Sequence, residues 1–122
     1  MIVAGMGFTS KASRQSLLNA IEQTGYMEKI TAISTRSDKA EEAVFKTLAK
    51  DFNLEIIALP DEVLKQIETP GFSARAHTLT GIGCVCEACA LAAAGNGARL
   101  VAEKHISIDG QATAAIALGK KS

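Results

Sequence analysis

The sequence predicts an α/β fold, a three-layer α/β/α domain with a mixed, mostly parallel five-stranded sheet. Three observations predict it. Strand-like and helix-like segments alternate three times between Ile2 and Glu68, the pattern of parallel strands joined by crossover helices. Asp109-Gly110, a turn signal, separates two later extended segments, which suits an antiparallel pair. Between these halves lies Thr80-Gly81-Ile82-Gly83-Cys84-Val85-Cys86-Glu87-Ala88-Cys89-Ala90, a glycine-broken turn feeding a helix of small residues.

The elements follow in order. Ile2-Val3-Ala4-Gly5-Met6-Gly7 is a short apolar run ended by glycine and reads as a buried strand. Ser10 suits an N-cap, opening an amphipathic helix from about Lys11 to Thr24, with Leu17, Leu18 and Ile21 on one face and Gly25 as its stop. Lys29 to Thr35 is a second strand. Ser37 or Asp38 caps a helix running to about Asp51, with Ala40, Val44, Phe45 and Leu48 inward. Leu54 to Leu59 is the third strand, closed by Pro60, and Asp61 to Glu68 a short helix. Thr69 to Thr80 lacks periodicity, and long loops of this kind carry function more often than chance suggests. After the small-residue helix, which Gly95 stops, Ala98 to Lys104 and Gln111 to Leu118 form the last two strands, and Gly119 to Ser122 a short basic tail.

At 122 residues the chain is expected to be a single domain, residues 1–122, and it is 48% hydrophobic and 21% charged, an ordinary globular composition. Thirteen basic residues balance thirteen acidic ones, and aromatics are 4%. That argues against nucleic-acid binding, which calls for excess positive charge or stacking platforms. No apolar run reaches membrane length and no secretory leader is evident. The three cysteines fall within six positions, which is no disulfide framework. The expectation is a cytoplasmic chain with reduced thiols.

Candidate chemistry gathers at the strand ends, where ligands sit in open α/β sheets. Gly5, Gly7, Thr9, Ser10 and Lys11 suggest backbone amides for an anion. The spacing is no dinucleotide fingerprint, because Ser10 stands where the third glycine belongs. Thr80, Gly81, Gly83 and Cys84 lead into a second helix N-terminus, where amides and the helix dipole again favour anions. Glu87, near that first turn, is either a dipole-compensating carboxyl or a general base. Lys39, expected in the first turn of the second helix, is either half of a surface pair with Glu42 or a cation facing an acidic ligand. Cys84, Cys86 and Cys89 read first as small packing residues. Three thiols fall one short of a structural zinc site, so neither metal nor cofactor is expected. A helix N-terminus makes Cys84 the most reactive of the three. His77 and His105 have no partner at ligand spacing, and Arg75 and Lys104 could add charge to the cleft.

These residues resemble the CobE/CbiG C-terminal domain family of cobalamin biosynthesis, the stand-alone CobE form in particular, over nearly the whole chain. The resemblance rests on Gly5 and Gly7 in the first turn, on Thr35, Lys39 and Glu42, and on the block Thr78, Thr80, Gly81, Gly83, Val85, Glu87, Ala88, Ala90 and Leu91. It extends to Lys104 and to Thr113 through Ala117. Many members follow the first glycine turn with cysteine or arginines. This chain has Phe8, Thr9 and Ser10 there, leaving Lys11 or Arg14 to substitute. The resemblance implies a role in building the corrin ring. The longer CbiG protein opens a lactone and releases acetaldehyde, whereas the stand-alone form belongs with the aerobic route. The implied ligand is a precorrin-type corrinoid intermediate rich in carboxylates. Glu87 would activate water, and Gly5, Gly7, Thr9, Ser10, Lys39, Thr80, Gly81, Gly83, Cys84 and Lys104 would hold the ligand. The alternatives are a non-catalytic carrier delivering an intermediate to another pathway enzyme, and a small phosphate- or nucleotide-binding domain.

Overall fold

The computed structural model describes residues 1–67, 69 and 84–119. Five strands form one sheet in the order β3-β2-β1-β5-β4: β1 Ile2–Phe8, β2 Ala32–Arg36, β3 Glu55–Leu59, β4 Arg99–Ile106 and β5 Ala112–Leu118. The pairs β1–β2 and β2–β3 are parallel, and β5 is antiparallel to both β1 and β4. Four strands therefore point one way and β5 is reversed. This is the expected mixed sheet. The β4–β5 hairpin supplies the two antiparallel pairings because a tight turn reverses the chain.

The helices among the described residues are α1 Arg14–Thr24, α2 Ala43–Asp51, α3 Asp61–Leu64 and α4 Val85–Ala94. The two faces of the sheet are built from different residues. One carries Ala4, Met6, Ile33, Ala114 and Ile116, packed against Leu17 and Ile21 of α1 and Phe45 and Leu48 of α2. The other is floored by small residues. Ala115 and Ala117 pack with Cys86 and Ala90 of α4, and Ser34 sends its hydroxyl to the Cys89 carbonyl of α4 at 3.0 Å. Strand residues alternate between faces, so the small set at alternate positions lets a helix of alanine and cysteine lie close to the sheet.

Gly5 shows how close. An added Cβ would lie 2.1 Å from the Cys86 carbonyl oxygen and 2.2 Å from the Ala90 nitrogen. Gly5 is buried under the middle of α4 and makes helix–sheet contact, which corrects its expected place among the ligand-binding residues. The strand also runs through both glycines to Phe8. Gly-x-Gly is here the two-residue period of one strand face, not a phosphate-binding turn.

Two helix starts differ from expectation. The first helix is capped by Ser13 rather than Ser10: Ser13 accepts from the Ser16 amide and Ser16 reciprocates, a closed capping pair that fixes the helix start. The second helix begins at Ala43, with Glu42 in the N-cap place. Residues 37–42 form turns instead, in which the Lys39 and Ala40 amides both bond the Arg36 carbonyl. Arg36 binds Asp61 through two bonds of 3.0 Å and lies 3.5 Å from Asp38. That pairing holds the end of β2 to the start of α3. The third helix stops at Leu64, short of Glu68.

Candidate functional site

The carboxyl end of β1 opens into a hollow of about 240 Å³ lined by Gly7, Phe8, Thr9, Cys84, Val85, Cys86, Lys104 and Gly110 to Thr113. A smaller hollow of about 100 Å³ lies on the other side of Gly7, Phe8 and Val85, against Thr35, Arg36 and Lys39. Three parts of the chain meet here: the end of β1, the start of α4 and the β4–β5 hairpin. Of the expected site residues, Gly7, Thr9, Cys84 and Lys104 share the larger hollow, and Lys39 lines the smaller. Thr80, Gly81 and Gly83 lie outside the described residues.

The hairpin is held in place by Asp109. Its carboxyl accepts from Ser107 at 2.6 Å and from the Gln111 amide at 3.1 Å, and it accepts from Ser16 of α1 at 2.5 Å. The Ser107 hydroxyl, followed by that of Ser16, holds Asp109 below the usual carboxylate range. This brings Gln111 to Thr9. The Thr9 amide bonds the Gln111 carbonyl at 3.0 Å, and the Thr9 hydroxyl bonds the Gln111 side-chain oxygen at 2.5 Å. The Lys11 amide in turn donates to the Thr9 hydroxyl at 3.2 Å. The expected anion nest at Thr9–Ser10–Lys11 is therefore corrected: its Thr9 and Lys11 amides are spent on the protein itself, and Ser10 is an exposed turn residue. Arg14 is also committed elsewhere, 2.6 Å from Asp51.

Lys39 sits over the Phe8 ring, 5.2 Å from its centroid, a cation–π contact that orients the ammonium toward the rim. Among the described residues it makes no ion pair with a carboxylate. Lys39 precedes α2 by a turn rather than lying in its first turn as expected.

Cys84 is the N-cap of α4, in extended backbone conformation. The first intrahelical bond runs from the Ala88 amide to the Cys84 carbonyl at 2.9 Å, so the amides of Val85 and Cys86, both lining residues, come before it. The Cys84 and Cys86 sulfurs are 3.8 Å apart. The Cys86 thiol, foremost, holds Cys84 below the usual thiol range, and the same contact together with burial pushes Cys86 well up. Burial pushes Cys89 up as well. Cys89 packs on the other side with Leu59 and Leu64. Among the described residues no three metal-ligating side chains converge.

Glu87 is 1% exposed, and its Oε2 accepts the Lys104 amide of β4 at 2.9 Å. A carboxyl in the first turn of α4 thus grips the edge strand at a residue that lines the hollow. Lys104 lies within β4, which runs on to Ile106, rather than ending its strand. Gln111 and Thr113 line the site although neither was expected among its residues. The Asp109-Gly110 turn, read in the sequence only as a strand reversal, is the signal that could have placed them, since β5 returns beside β1.

The family model "Cobalamin synthesis G C-terminus" matches residues 2–117. The chain belongs to this family. Solved structures share the architecture. One is the crystal structure of CobE, a protein from the cobalamin (vitamin B12) biosynthetic pathway, similar at TM-score 0.85 and 28% identity over 99% of this chain and 93% of that one. Cobalamin biosynthesis protein ChiG from Agrobacterium tumefaciens is similar at TM-score 0.75 and 29% identity over 99% and 100%. A cobalamin biosynthesis protein G homolog from Sulfolobus solfataricus shares the fold at TM-score 0.71 and 23% identity, over 98% of this chain and 37% of that one. No curated protein sequence matches the chain. By family and fold this chain is a cobalamin-biosynthesis protein. No described helix is long and apolar enough to cross a membrane.

Proposed function

We propose that the chain binds a precorrin-type tetrapyrrole at the β1 rim and delivers it to another enzyme of the corrin pathway. One observation carries this reading: a single hollow gathers the first turn of α4, the end of β1 and Lys104. Corrin precursors bear acetate and propionate arms. Helix N-terminal amides and a lysine are the groups that hold a carboxylate. The hollow's 240 Å³ is below the roughly 300–1,000 Å³ of sites that enclose a whole drug-sized ligand. It therefore suits one edge of the macrocycle, with Lys39 reaching a neighbouring arm from the smaller hollow.

Delivery is favoured over hydrolysis by Glu87. Its carboxyl is buried against the Lys104 amide, which suits a positioning residue better than a base facing water. The test is a titration with a free-acid corrinoid, followed by visible absorption. A saturable shift without chemical conversion is expected. Lys104→Ala should weaken binding about tenfold, the loss of one charge-assisted bond, while Glu87→Gln retains it. No spectral response would end the binding reading. Conversion of the corrinoid that Glu87→Gln abolishes would make Glu87 catalytic and replace delivery by hydrolysis.

A further inference from the structure

Two of the three cysteines stand side by side in the wall of the rim hollow. The sulfurs of Cys84 and Cys86 are 3.8 Å apart, and both residues line the rim hollow. The intervening Val85 is the first residue of α4. Helical geometry there puts the two Cα atoms roughly 5.4 Å apart, inside the range of about 4.4–6.8 Å that a disulfide spans. Closing the bond asks for side-chain rotation at the N-cap and first turn of α4. Cys89 is set apart, facing Leu59 and Leu64.

We propose that Cys84 and Cys86 form a reversible dithiol–disulfide couple in the wall of the hollow, oxidised by small peroxides. The geometry assigns the roles. Cys84, at the N-cap with the Cys86 thiol beside it, is the attacking sulfur, and Cys86 resolves. The Cys84 thiolate attacks one oxygen of hydrogen peroxide. The O–O bond breaks, and the departing hydroxide takes up the proton that Cys84 released, giving Cys84 sulfenic acid and water. The Cys86 sulfur then attacks Cys84 Sγ, the S–O bond breaks, and the leaving oxygen takes the Cys86 proton as a second water. Two electrons pass from the sulfurs to the peroxide. Exposures of 2% for Cys84 and 1% for Cys86 restrict the reaction to an oxidant small enough to enter the hollow. A bridge spanning one residue is strained, and strained bridges are readily reduced, so the couple returns to the dithiol with a reducing thiol.

The experiment treats the folded protein with hydrogen peroxide, then denatures it in acid and alkylates the remaining thiols for intact-mass and peptide analysis. The expected result is loss of two hydrogens per chain, Cys84 and Cys86 both unalkylated, Cys89 alkylated, and full reversal by dithiothreitol. Cys89→Ser should behave the same. Cys86→Ser should stop at a Cys84 sulfenic acid that dimedone traps. A Cys86–Cys89 bridge would overturn the proposal. So would Cys84 sulfinic acid without loss of hydrogens, or a folded protein that stays fully alkylatable.

Discussion

Replacing Gly5 by alanine should unseat a helix, and the structure sets the scale of the damage. The new methyl carbon would lie 2.1 Å from the Cys86 carbonyl oxygen, 2.2 Å from the Ala90 nitrogen and 2.8 Å from the Ala90 Cα. All three are backbone atoms, so no rotamer change relieves the clash. α4 must lift from β1 by more than an ångström. Lifting it strains the contacts of Cys86 and Ala90 with Ala115 and Ala117 and stretches the 3.0 Å bond from Ser34 to Cys89. Overpacking at this level costs about 3 kcal/mol, and the weakened buried hydrogen bond adds about 1 kcal/mol. For a domain of this size that lowers Tm by roughly 12–20 °C. Gly7→Ala is the control. Its methyl carbon would meet the Thr113 hydroxyl at 3.0 Å and Val85 at 3.7 Å, side chains that can yield, so the cost should stay under about 1 kcal/mol while the hollow narrows. The assay is a thermal melt of both variants by circular dichroism, with urea midpoints alongside. If Gly5→Ala melts within about 4 °C of the parent, the close seating of α4 on β1 is wrong.

Three further outcomes are expected. Glu87→Ala should cost about 2–4 kcal/mol in urea unfolding, because it leaves a cavity and an unpaired Lys104 amide; Glu87→Gln keeps an acceptor and should cost about 1 kcal/mol. Ser13→Ala should lose about 1 kcal/mol through the broken capping pair, whereas Ser10→Ala should change the urea midpoint little. Stability should fall on acidification. The Arg36 hydrogen bond holds Asp61 below its ordinary value, and the Ser107 and Ser16 hydroxyls do the same for Asp109. Their contributions are fully present above the unfolded carboxylate value of about 4 and vanish as pH drops through the lowered folded values. Asp61→Asn should flatten that pH dependence of the urea midpoint, and a profile unchanged by it would remove Arg36–Asp61 as a cause. Solvent screening keeps the pair's contribution to about 1 kcal/mol or less.

What the sequence determined by itself was local: the alternation of strand and helix periods, the stop at Gly25, the small-residue helix and the reversing turn at Asp109-Gly110. Periodicity and turn chemistry act within a few residues, so they can be read along the chain. The family was legible too, because its markers are spread along the whole length. The site was legible only as a neighbourhood. Whether the Thr9 amide faces a ligand or the protein depends on Gln111, 102 positions away. One partner of Glu87 is the amide of a strand residue 17 positions on. Gly5 and Gly7 look alike in sequence, yet one lies under α4 and the other at its open end. Such distinctions depend on which groups the packed sheet brings within hydrogen-bond or van der Waals range, and that is settled only when the layers come together.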